Sequence, residues 1–99
     1  MQIKIAKTVD LEPDSCMTVT ANSEEIALYR VGDAYYASTN TCPHRGGPLG
    51  EGLLEDKTIT CPWHGWQFDV CKGVSLVNDQ VKLKTFPVTV QGDDICIEM

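Results

Sequence analysis

Basic residues are scarce in this chain: eight Lys and Arg stand against fourteen Asp and Glu, giving a formal charge of −6 and a pI near 4.6. A phosphate backbone is held by a basic patch, so nucleic acid is excluded as a partner. The acidity instead aids solubility and favours encounter with basic protein surfaces. Long apolar runs are also missing. The opening Met1–Lys7 stretch has no apolar h-region, and no run approaches membrane-spanning length, which predicts a cytoplasmic chain with no membrane contact. No window sustains a helical recurrence of apolar residues over ten or more positions. The chain lacks internal repeats, low-complexity tracts and a G-x-G-x-x-G turn, and 99 residues leave no room for a flavin or nicotinamide domain. Its five cysteines, at 16, 42, 61, 71 and 96, are an odd number, against a purely disulfide framework.

What is present reads as one all-β domain, residues 1–99. Ile3 and Ile5 alternate with polar residues, as do Met17 and Val19 within Cys16–Thr20, at the two-residue period of a half-buried strand. Glu25–Val31 is richer in apolar residues and reads as a central strand. Gly32-Asp33 then turns the chain into Ala34–Ser38. Val81 and Leu83 alternate with lysines as a further strand, and Val88/Val90 lead through Gln91-Gly92-Asp93-Asp94 into Ile95/Ile97 as a hairpin. The middle differs. Residues 40–73 hold three of five prolines, six of eight glycines, both tryptophans and both histidines, interrupted by a short strand at Lys57–Thr60. Glycine- and proline-rich excursions from a β scaffold are where functional loops sit. A small subdomain, about residues 40–73, is expected inside an antiparallel barrel or sandwich.

Two segments within it carry the chemistry. Cys42-Pro43-His44-Arg45-Gly46-Gly47-Pro48-Leu49-Gly50 has a C-x-H spacing, and Cys61-Pro62-Trp63-His64-Gly65-Trp66-Gln67-Phe68-Asp69 a C-x2-H spacing. One or two intervening residues let a tight loop aim a thiol and an imidazole at a common centre, and two facing loops complete four ligands. Neighbouring proline and glycine suit loops whose free amides point at sulfur. Zinc takes the same donors, but zinc fingers usually present a cysteine pair and then a histidine pair, whereas each loop here mixes the two. A zinc-stabilised interaction module therefore stays as an alternative.

The mixed arrangement resembles the Rieske family, in which two cysteines hold one iron of a [2Fe–2S] cluster and two histidines the other. The likeness runs through Gly46-Gly47-Pro48-Leu49, the Leu49-Gly50-Glu51-Gly52 run and Gly65-Trp66-Gln67-Phe68-Asp69. It implies a Rieske-like fold with one cluster per chain, on Cys42, His44, Cys61 and His64. A Rieske oxygenase needs a second iron, typically on two histidines and a carboxylate. This chain has only two histidines, both taken by the cluster, so the resemblance implies an electron carrier without catalytic residues. Its expected donor is a flavin-dependent reductase and its acceptor a terminal, ring-hydroxylating oxygenase. The alternative within the resemblance is the small subunit of an assimilatory nitrite reductase, with that enzyme's large subunit as acceptor.

The remaining candidates have plainer readings. Cys16, Cys71 and Cys96 are expected as buried thiols, and Tyr29, Tyr35 and Tyr36 as strand packing. The acidic run Glu51–Asp56 reads as a solvated turn, and Trp66 as a surface aromatic available for partner docking. High-potential members of the resembled family place a serine and a tyrosine after the second histidine as donors to the cluster sulfurs. They also join an extra cysteine in each loop as a disulfide. The matching positions here are Trp66 and Phe68, and Gly47 and Trp63. The resemblance therefore implies a low potential.

Overall fold

The computed structural model describes residues 2–43, 46–63, 65–76, 78 and 80–99. Their strands, in chain order, are β1 (Gln2–Lys7), β2 (Ser15–Ala21), β3 (Glu24–Val31), β4 (Ala34–Thr39), β5 (Leu53–Glu55) and β6 (Thr58–Thr60). There follow β7 (Gln67–Asp69), β8 (Val74–Ser75), β9 (Thr85–Phe86), β10 (Val88–Gln91) and β11 (Asp94–Glu98). They form three antiparallel sheets, ordered β1-β11-β10, β2-β3-β4-β9 and β5-β6-β7-β8. The protein is all-β, with only two short 3-10 turns, Thr8–Asp10 and Leu49–Glu51, among the described residues.

Turn chemistry sets the meander. Asn22 and Ser23 both take left-handed backbone between β2 and β3, the two-residue turn whose twist matches its flanking strands. The β10–β11 hairpin turns at Gly92, also left-handed, where Gln91 pairs Asp94.

β3 is central because both of its faces are buried. Ile26 and Leu28 point into a core shared with Ala37, Phe86, Ile95 and Ile97, between the first two sheets. Ala27 and Tyr29 point the other way, into a second core with Leu49, Ile59, Phe68 and Val70. Each large apolar side chain fully buried in this way contributes roughly 1.5–3 kcal/mol. Tyr29 brings a hydroxyl into that interior. Ser38 already donates to the Thr39 carbonyl (3.0 Å), so the Tyr29 hydroxyl donates to Ser38 Oγ at 2.8 Å.

Two sequence expectations need correction. Val81 and Leu83 do not form a strand. The Val81 amide goes back to the Asn78 carbonyl and the Leu83 amide to Gly73, leaving one isolated bridge, Val74 to Lys82. Only at Thr85 does the chain join a sheet, against Ser38. Nor is Glu51–Asp56 a solvated turn: Leu53–Glu55 pairs with Thr58–Thr60 and buries Leu54.

Candidate metal centre

The first cysteine loop grows from the end of β4 through a neck of backbone pairs. The Asn40 carbonyl accepts the Leu49 amide (2.7 Å), Thr41 bridges Pro48, and the Cys42 amide donates to the Gly47 carbonyl (2.9 Å). Inside this neck the Gly46 amide donates to the Cys42 carbonyl (2.7 Å), with Gly46 left-handed at φ +79°. Asn40 anchors the base. It is buried, and its side-chain oxygen accepts both the Gly50 amide (2.7 Å) and the Thr18 hydroxyl (3.1 Å).

The second loop joins β6 to β7 and repeats the device. The Cys61 amide donates to the Trp66 carbonyl (2.8 Å), so in each loop the cysteine closes onto the carbonyl five residues on.

Both necks deliver their cysteines to one place. Cys42 and Cys61 are each 1 % exposed, lie in the same core as Leu49, Ile59 and Phe68, and carry free thiols in contact with each other. Burial pushes the Cys61 thiol pKa up. The Trp63 amide, 3.4 Å from Cys61 Sγ, acts in the opposite direction, and the Cys42 thiol adds to the rise. Position 47 faces this sulfur: a Cβ on Gly47 would stand 2.8 Å from Cys61 Sγ and 3.0 Å from Trp63 Cγ. Glycine is required there by close approach.

Of the four sequence-predicted ligands the structure brings Cys42 and Cys61 together. His44 and His64 lie outside the described residues, as does Arg45. Among the described residues no three Cys, His, Asp or Glu side chains converge. Two buried, adjacent thiols without a disulfide, one already receiving a backbone amide, fit the two-thiolate half of an iron–sulfur site.

The other thiols are scattered. Cys16 is half-buried and donates to the Gly52 carbonyl at 3.5 Å, and Cys96 is buried in β11. Cys71 departs from expectation: it is exposed, beside Tyr36. Trp66 also departs from its reading as a surface aromatic. Trp66 is half-buried against the core with its ring 6.4 Å from Phe68, whereas Trp63 is 51 % exposed. Trp66, Phe68 and Val70 share one face at a two-residue period, a signal that could have marked Trp66 as inward. Asn40 was missed altogether, because nothing in a linear pattern marks a carboxamide as buried.

Comparison with known proteins gives the same direction. The family model described as "Rieske [2Fe-2S] domain" matches residues 1–87. The ferredoxin component of the naphthalene 1,2-dioxygenase/salicylate 5-hydroxylase systems of Ralstonia sp. is 36 % identical, covering 91 % of this chain and 88 % of that one. Among solved structures, a chain in the complex of reduced oxygenase and oxidized ferredoxin of carbazole 1,9a-dioxygenase superposes with a TM-score of 0.89 at 34 % identity. It covers 97 % of this chain and 91 % of that one. The small subunit of a nitrite reductase (NADPH) reaches 0.88 at 25 % identity, covering 100 % and 99 %. The chain belongs to the Rieske [2Fe–2S] domain family, which implies one such cluster per chain. Its relatives are electron-transfer components rather than catalysts. No helix among the described residues is long and apolar enough to cross a membrane.

Proposed function

We propose that this chain is a cytoplasmic one-electron carrier between a flavin-dependent reductase and a terminal oxygenase, in a system that hydroxylates aromatic rings. The observation that carries it is the meeting of two identically closed loops over the Cys42–Cys61 thiol pair. Within the single domain 1–99, residues of about 40–73 make the cluster-binding subdomain. Cys42 and Cys61 hold one iron as thiolates, and His44 and His64 hold the other. When bound, the cluster supplies reversible one-electron chemistry. The chain's own part is positional. Leu49, Ile59 and Phe68 exclude water behind the thiols, and the Trp63 amide stabilises negative charge on Cys61 Sγ. All five cysteines are free, consistent with a reducing compartment.

The oxygenase role is favoured over nitrite reduction because ferredoxin components of dioxygenase systems match at 36 % identity, against 25 % for the nitrite reductase subunit. Reconstitution tests it. NADH, a flavin-dependent reductase, this chain and a terminal oxygenase are combined with an aromatic substrate. Product formation should require the chain, and formation at the same rate without it would overturn the assignment.

A further inference from the structure

We propose that the Trp63 indole is a positioning residue that clamps the two cluster loops together. This deepens the ligand assignment above and rests on it. Trp63 belongs to the second loop, yet its Cβ and Cγ lie over Gly47 in the first, close enough that a Cβ at 47 would meet them at 3.1 and 3.0 Å. Its own amide meanwhile donates to Cys61 Sγ at 3.4 Å. One residue thus touches the Cys61 sulfur through its backbone and the opposite loop through its side chain. Among the described residues each loop is otherwise closed on itself, through the Cys42–Gly47 and Cys61–Trp66 bonds, and the two loops meet elsewhere at the Cys42 and Cys61 thiols. Small loops of this length have few buried contacts of their own, so opening either is cheap unless something spans them. The missing side chain at Gly47 leaves the space the indole root occupies, and Trp63 as a whole stays about half exposed. Holding both loops in register keeps Cys42 and Cys61 at their common position when water or a chelator competes for iron.

The test is amide hydrogen exchange on anaerobically purified, cluster-loaded protein, with the rate of iron release to a chelator measured in parallel. In Trp63→Ala, exchange at the Cys42 and Gly46 amides, which lie in the loop that does not contain Trp63, should quicken by roughly tenfold, and iron release with it. Trp63→Phe, which keeps an aromatic ring over Gly47, should restore both. Gly47→Ala should also quicken release, since a methyl there meets the indole root at 3.0 Å as well as Cys61 Sγ at 2.8 Å; the part of its effect that runs through the indole is already lost in Trp63→Ala, so the two should combine sub-additively. Exchange at Cys42 and Gly46 within twofold of wild type in Trp63→Ala would overturn the clamp, even if residues 61–66 loosened. If the alanine variant fails to retain a cluster, the phenylalanine variant decides: a stable cluster supports the clamp, and loss of it there overturns it. A wild-type protein without two irons and two sulfides would instead overturn the ligand assignment, with no bearing on how Trp63 packs.

Discussion

Replacing Asn40 with alanine should be among the most damaging single changes outside the ligands. The Asn40 carboxamide oxygen accepts the buried Gly50 amide at 2.7 Å and the Thr18 hydroxyl at 3.1 Å, tying β2 and the 3-10 turn to the neck of the first cysteine loop. Alanine leaves the Gly50 N–H buried without its acceptor, at about 1–3 kcal/mol, and removes the Thr18 bond, worth about 0.5–1.5 kcal/mol. The total is about 1.5–4.5 kcal/mol. For a domain of this length that lowers the melting temperature by an amount on the order of 10–20 °C. Thermal unfolding of the cluster-loaded protein, followed by far-ultraviolet circular dichroism under anaerobic conditions, measures it. Asn40→Asp retains an acceptor for both donors and should recover at least half of the loss. An Asn40→Ala protein melting within about 2 °C of wild type would refute the reasoning.

Three further outcomes follow from named contacts. The midpoint potential should lie low in the Rieske range of roughly −150 to +300 mV, since Phe68, buried beside both cysteines, has no hydroxyl to donate to sulfur. Phe68→Tyr should raise it by about 40–60 mV if the new donor favours the reduced cluster by about 1–1.4 kcal/mol, and voltammetry showing no shift with the cluster intact would contradict this. Stability should fall above about pH 10: burial raises the Tyr29 phenol pKa well above its usual value. The folded phenol stays neutral while the unfolded one ionises, so this stability is complete below the unfolded pKa and lost as pH rises through the folded one. Tyr29→Phe should flatten the alkaline limb of a denaturation–pH curve. Finally, a thiol reagent should label Cys71 rapidly in the loaded native protein and leave Cys16 and Cys96 slow, as mass spectrometry of the modified peptides would show.

The scaffold was largely legible because strand signals are local. The alternation in Cys16–Thr20 and the apolar density of Glu25–Val31 correspond to an edge strand and a doubly buried central one. Val81–Leu83 shows how far such signals reach. Its pattern suits a strand, but strand formation needs a free neighbour, and these amides are taken by Asn78 and Gly73. At the site, spacing of cysteine and histidine picked out the two loops, since one or two intervening residues restrict where a thiol can point. What spacing could not convey was contact between loops. Gly47 and Trp63 are far apart in sequence and were paired only through the resemblance, and Cys71 looks like any buried thiol until the fold leaves it outside. Trp63 and Trp66 are three residues apart with the same chemistry, and only the packing of Trp66 beside Phe68 separates them.

The central claim is that Cys42 and Cys61 hold one iron and His44 and His64 the other. Anaerobically purified protein, grown with 15N-histidine and reduced, is the sample that tests it. About two irons and two sulfides per chain are expected, with pulsed electron paramagnetic resonance showing two histidine nitrogen couplings. Alanine at any of the four positions should abolish the native signal. Stoichiometric zinc without iron, or a reduced cluster coupled to no histidine nitrogen, would contradict the account.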